Sequence, residues 1–255
     1  MEQIKYQMKA LRLSGMASVL PTRLQEANAN ELPYEDFIGS LLQDELDLRK
    51  DRLLSRRLKS ARFPFHKTLD DFDFSFNPSI NKRKILELAS GKFIVKSEGI
   101  LLLGPPGVGK SHLAVSLGIR AIQNGYAVRY ISAFDMAEDL AEAVTLGTRK
   151  EIITKFCKPD VLILDEFGMK NLPGSAAEDL LEVFHRRYLN GSTIIATNRP
   201  VNDWGKILGD NAATSAILDR FLENIHLVKI SGKSYRLKSN KNNNTDVAEA
   251  DDQQV

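Results

Sequence analysis

Residues 104–111 read Gly104-Pro105-Pro106-Gly107-Val108-Gly109-Lys110-Ser111, the spacing G-x-x-x-x-G-K-[ST]. The glycines let the backbone curl so that its N–H groups converge on an anion, the lysine reaches β- and γ-phosphates, and the serine hydroxyl faces Mg²⁺. The flanks fix the local fold. Ile100-Leu101-Leu102-Leu103 reads as a buried strand, and His112-Leu113-Ala114-Val115-Ser116-Leu117-Gly118-Ile119 as a helix whose N-terminal dipole faces the phosphates. Gly104 to Ser111 and the adjoining His112 are therefore the candidate nucleotide-binding residues, with ATP as cofactor.

Beyond this loop the chain alternates helical runs with short apolar strands at Ile100–Leu103, Ala127–Ser132, Val161–Leu164, Thr193–Ala196 and Leu227–Ile230. That alternation predicts an α/β domain, a parallel sheet covered on both faces, with ligands at the carboxyl ends of the strands. Val161-Leu162-Ile163-Leu164-Asp165-Glu166 sets two acids after four apolar residues. Asp165, with Ser111, is the candidate Mg²⁺ site, and Glu166 the candidate base that polarises a water. Thr193-Ile194-Ile195-Ala196-Thr197-Asn198 ends a further strand. If that strand lies between the other two, the Asn198 amide reaches the γ-phosphate and the water. Arg220, in Leu218-Asp219-Arg220-Phe221, is a candidate arginine finger acting on a neighbouring subunit's nucleotide. Arg236, in Gly232-Lys233-Ser234-Tyr235-Arg236, is a candidate γ-phosphate contact, in its own subunit or across an interface.

Residues 1–65 read as a small all-helical domain: Ile4, Met8 and Leu11 recur at helical spacing. A second helix opens at Pro33 with Phe37, Ile38, Leu41, Leu42 and Leu46 on one face, continuing through Leu53, Leu54 and Leu58. From Arg49 to Lys67 the chain carries Arg49, Lys50, Arg52, Arg56, Arg57, Lys59, Arg62 and Lys67 against Asp51 alone, a local charge of +7. Residues 66–80 form a connector. Phe63, Phe65, Phe72, Phe74 and Phe76 make the stretch around it extended and anchored by aromatic rings. The ATPase domain spans 81–238, and the polar segment 239–255 lacks apolar mass to bury and is expected to be disordered. The whole-chain charge of +2 discriminates little, and Cys157, the single cysteine, excludes an intrachain disulfide. With no apolar run long enough to span a bilayer and no apolar signal core at the N-terminus, a cytoplasmic protein is expected. His66, His112, His185 and His226 show no metal-ligand spacing, and Trp204 reads as a packing residue.

These residues together resemble the IstB family, helper ATPases of bacterial insertion sequences related to the DnaC and DnaI helicase loaders in the AAA+ class. The resemblance runs from about residue 4 to 238. It is carried by Leu11-Arg12-Leu13-Ser14-Gly15-Met16, Ala61-Arg62-Phe63-Pro64, Asp71-Phe72-Asp73-Phe74, the phosphate loop, Leu164-Asp165-Glu166-Phe167-Gly168, Trp204-Gly205, Leu218-Asp219-Arg220 and Gly232-Lys233-Ser234-Tyr235-Arg236. The connector and the closing Gly-x-Ser-Tyr-Arg are its most specific parts. It implies an AAA+ P-loop three-layer domain behind a helical N-terminal domain. It implies a homo-oligomer with ATP at subunit interfaces, assembly on duplex DNA with little sequence preference, deformation of that DNA, and recruitment and stimulation of a partner transposase. It makes Arg49, Lys50, Arg52, Arg56, Arg57, Lys59 and Arg62 the candidate DNA contacts. Two rivals stand beside it. One is a helicase loader, some of which carry zinc-ligand cysteines that residues 1–65 lack. The other is a metabolic P-loop kinase, which would want a lid and an acceptor pocket.

Overall fold

The computed structural model describes residues 1–169, 176–208 and 212–235. The chain separates into two compact units, Met1–Arg57 and the remainder from Leu58. The candidate Arg236 and the segment 239–255 lie outside the described residues.

The first unit is built from α1 (Glu2–Ala10), α2 (Ser14–Ala29) and most of α3 (Tyr34–Ala61). Met16, Leu20 and Leu41 form its core, with Met8, Leu13, Val19, Leu24 and Phe37 packed around them. The helix opened by Pro33 is thus the third, not the second. The intervening α2 runs through Pro21, because burial of Met16 and Leu20 outweighs the hydrogen bond a mid-helix proline forfeits. The apolar stripe of α3 also divides. Phe37 and Leu41, one turn apart, pack with the α2 core residues, whereas Ile38, Leu42, Leu46 and Leu53 are exposed. The inward stripe ends on Glu45, buried at 4% exposure. One of its carboxylate oxygens accepts from Gly15 N (2.6 Å) and Met16 N (3.1 Å), and the other from Arg49 Nε (2.7 Å). It thereby satisfies the first N–H groups of α2, whose N-cap residue Leu13 offers no side-chain acceptor.

The second unit follows with α4 (Lys82–Ala89), α5 (Lys92–Val95), β1 (Gly99–Leu103), α6 (Lys110–Gln123), β2 (Val128–Ser132), α7 (Ala133–Thr145), α8 (Arg149–Cys157) and β3 (Val161–Phe167). It continues through α9 (Ala176–Arg187), β4 (Ser192–Thr197), a 3₁₀ turn (Val201–Asp203), α10 (Gly205–Leu208), α11 (Ala212–Glu223) and β5 (Ile225–Lys229). The strands form one sheet in the order β2-β3-β4-β1-β5, parallel at every pairing. Alternation along the strands sorts the layers. Leu101, Ile131, Leu162, Leu164 and Ile195 face one side, packed with residues of α7 to α11. Ile163 faces the other and meets Gly118 of α6. Val161 to Leu164 are fully buried, each worth about 1.5–3 kcal/mol of apolar transfer. Trp204 is fully buried against Phe167, ring centroids 4.5 Å apart, the packing role its sequence context suggests.

Candidate nucleotide site

The phosphate loop leaves β1 and enters α6 at the carboxyl edge of the sheet. Its backbone is held in shape from both sides. Gly107 has φ +78° and Gly109 φ +100°, left-handed values that favour glycine. A Cβ on Gly107 would lie 2.1 Å from Ser234 Oγ, and one on Gly109 would lie 2.7 Å from the Phe72 ring. Tyr235 N donates to Gly107 O (2.9 Å), Asn77 Nδ2 donates to Val108 O (3.0 Å), and Lys110 Nζ donates to Pro105 O (2.8 Å). The connector and the Gly232–Tyr235 segment, far apart in sequence, therefore both close on the loop. Gly107→Ala should combine strained φ with the Ser234 overlap. About 1–2 kcal/mol of lost stability and a nucleotide affinity reduced about tenfold are expected in melting and titration, with partial recovery when Ser234→Gly is added.

A cavity of about 270 Å³ lies over the loop, lined by Phe65, Phe72, Phe76, Asn77, Gly107 to His112 and Tyr235 among others. The aromatic residues of the connector pack there in pairs: Phe72 on Phe74 (4.8 Å), Phe72 edge-on to His112 (5.0 Å), and Phe76 edge-on to Tyr235 (5.0 Å). Aromatic side chains beside a phosphate cradle offer apolar surface of the kind a purine ring packs on. These lining residues are not legible as site residues from sequence, although the density of phenylalanines in the connector marks them as anchored. His112 pairs its Nε2 with Thr68 O (2.8 Å), and burial lowers its pKa from the ordinary histidine value. Ser116 Oγ donates to Lys67 O (3.0 Å), a further tie from connector to α6. Asp71, accepting from Thr68 N (2.7 Å) and Thr68 Oγ1 (2.8 Å), is held below the usual carboxylate range by those bonds.

The acidic pair lies inside β3 rather than after it. Asp165 is 3% exposed, with Oδ1 accepting from Glu166 N (2.7 Å) and Oδ2 from Tyr130 Oη (2.7 Å). Glu166 is exposed with φ +56°, and the β3–β4 register shifts between Leu164 and Phe167. That bulge turns the Glu166 side chain out of the strand's alternation at a conformational cost of order 1 kcal/mol. Thr197 Oγ1 pins the bulged end by donating to Phe167 O (2.7 Å). β4 lies between β1 and β3, the order on which the reading of Asn198 depended, and exposed Asn198 directly follows it. The sheet thus brings the phosphate loop, Asp165, Glu166 and Asn198 to one edge.

Arg220 is on the outer face of α11, exposed, and makes no ion pair with a described residue. Leu218 and Phe221 turn inward, Phe221 stacking on Phe184 at 4.7 Å. Of the basic positions, Arg49 is engaged by Glu45 and by Arg12 O (3.1 Å), and Arg52 NH1 donates to Ser14 Oγ (2.6 Å). Lys50, Arg56, Arg57 and Lys59 of α3, with Arg62 just beyond it, form no ion pair with described residues.

The family model described as IstB-like ATP binding protein matches residues 6–243. The chain belongs to that family. It is 36% identical over 240 residues, 94% of this chain and 96% of the relative, to the ATP-binding protein of insertion sequence IS5376 from Geobacillus stearothermophilus. Among solved structures it resembles the replication initiator DnaA bound to AMPPCP and single-stranded DNA (TM-score 0.54, 25% identity). That match covers 66% of this chain and about half, 51%, of DnaA. It also resembles the DnaC helicase loader (TM-score 0.51, 23% identity, 69% of this chain and 98% of that one). An IstB-like chain with this sheet order is an ATPase of the AAA+ P-loop class, and the curated relatives it matches are ATP-binding proteins of insertion sequences. No helix among the described residues is long and apolar enough to cross a membrane.

Proposed function

We propose that this IstB-like protein couples ATP hydrolysis to assembly on duplex DNA, deforms that DNA, and recruits and stimulates its partner transposase. One observation carries the reading furthest. The connector that follows α3 packs directly on the phosphate loop and the start of α6 through Lys67, Thr68, Phe72 and Asn77. In this reading the backbone N–H groups of Gly107 to Ser111 and the Lys110 ammonium bind the phosphates, Glu166 takes a proton from the attacking water, and Asn198 orients that water. Arg220 of a neighbouring subunit completes the site. Arg236 is proposed as a further γ-phosphate contact.

The donors available for Mg²⁺ fit a hard cation. The Ser111 hydroxyl and Asp165 carboxylate are oxygens, and the buried carboxylate keeps lone pairs beyond its two hydrogen bonds. When bound, the ion would neutralise phosphate charge.

Native mass measurement with ATP, with duplex DNA and with both tests the assembly. Larger particles only when both are present are expected, and an unchanged mass would remove that part of the reading. Reversing Arg56, Arg57 and Lys59 to glutamate should weaken duplex binding and flatten its salt dependence by roughly three units of slope, as measured by affinity titrations from 50 to 200 mM salt. A second reading, a replicative helicase loader, is favoured by the likeness to DnaC. Parallel pull-downs against helicase and transposase separate the two.

A further inference from the structure

The hydroxyl of Tyr130 belongs to none of the motifs above, yet it reaches the carboxylate on which the cation reading rests. In the parallel pairing of β2 with β3, Tyr130 stands opposite Ile163 and Ser132 opposite Asp165. Tyr130, Ile163 and Asp165 therefore share one face of the sheet, the face covered by α6. The ring has an aromatic neighbour on that face. Phe63 meets it edge-on at 6.4 Å, and Phe63 itself is wedged against Gly118 of α6. A Cβ on Gly118 would lie 3.0 Å from the Phe63 ring and 2.7 Å from Ile163 Cδ1, so α6, Phe63 and β3 meet with no room for a side chain at Gly118. From this seat Tyr130 Oη donates to Asp165 Oδ2 at 2.7 Å.

Asp165 is nearly sealed from water, and its two described donors approach different oxygens: Glu166 N at Oδ1 and Tyr130 Oη at Oδ2. The first donor belongs to the adjacent residue and moves with it. The second comes from another strand and fixes the rotation of the carboxylate plane relative to the sheet. A carboxylate that must present its remaining lone pairs in a set direction depends on such a partner, and loss of outer partners of ligating groups weakens metal binding by about tenfold or more.

We propose that Tyr130 is a positioning residue, holding the Asp165 carboxylate in the orientation that receives the divalent cation of the nucleotide complex. The inference rests on the cation reading of Asp165. Tyr130→Phe keeps the ring and its Phe63 contact and removes only the donor.

The test is binding of a fluorescent ATP analogue to the full chain, titrated with Mg²⁺ and repeated in EDTA, for the parent, Tyr130→Phe and Asp165→Asn. Unchanged affinity in EDTA, with the Mg²⁺ concentration for half-maximal effect raised about tenfold in Tyr130→Phe, supports the role. A shifted Mg²⁺ curve in Asp165→Asn beside an unshifted one in Tyr130→Phe overturns the role of Tyr130 alone. Unshifted curves in both variants overturn the reading of Asp165, and the inference with it.

Discussion

Replacing Lys110 by alanine is expected to abolish measurable nucleotide binding while leaving the fold intact. The ammonium sits at the first position of α6 and already donates to the Pro105 carbonyl of its own loop, so its reach is set by the loop curvature. Charge-assisted hydrogen bonds to phosphate are worth about 1.5–3 kcal/mol each. Losing two of them weakens binding by about a hundredfold or more. Isothermal titration with ATP and with ADP measures this, and melting curves of the unliganded variant should match the parent. Glu166→Gln should behave differently. The side chain projects from a bulge, and its amide replacement keeps the size and the backbone N–H that supports Asp165. Nucleotide should bind with near-parental affinity while turnover falls by about 10²–10⁴, the usual span for a general base. Parental turnover in Glu166→Gln would remove the assigned base. Loss of binding in that variant would instead point to a damaged strand end.

Arg187→Met is expected to lower stability by about 4 kcal/mol, among the largest single effects in the molecule. Arg187 is 1% exposed, at the last position of α9. Its guanidinium donates to the carbonyls of Phe156, Cys157, Pro159, Asp160 and Ser192 and to Thr193 Oγ1. Burial pushes its pKa down to about 10, so the group remains charged at neutral pH. A planar fork with five N–H donors can meet this many carbonyls at once; a methionine meets none, and a lysine ammonium offers only three donors. The freed carbonyls belong to the end of α8, the turn into β3 and the start of β4, and each unsatisfied buried group costs about 1–3 kcal/mol. Thermal unfolding should move down by roughly 10 °C. Arg187→Lys is expected to recover less than half of that loss. Because β3 carries Asp165 and Glu166, nucleotide turnover in the variant should decline before global unfolding as temperature rises.

The phosphate loop, the five strands and the acidic pair were legible because each depends on neighbours in sequence. A G-x-x-x-x-G-K-S loop needs only its own glycines, and a buried parallel strand announces itself as a short apolar run. The helices of the first unit were less legible. The helix Ser14–Ala29 lay between the two helical readings, and the Phe37-to-Leu46 run read as one face, which burial of Leu41 and exposure of Leu42 divide. The positions of Tyr130 and Asn77 beside the site carried no local signal, since each becomes a site neighbour only through strand pairing or a chain crossing, and the Gly-x-Ser-Tyr-Arg segment did not by itself say that Ser234 abuts Gly107.

Sequence alone determined that this chain builds a parallel α/β sheet with a phosphate cradle at its carboxyl edge, because glycine freedom, apolar periodicity and charge are properties of short segments. The tertiary structure decided that β4 separates β1 from β3, that Glu166 leaves its strand on a bulge, and that the connector and the Gly232–Tyr235 segment close over the loop. Those outcomes follow from which buried surfaces meet and which polar groups are satisfied when they do. No single stretch of residues contains that information.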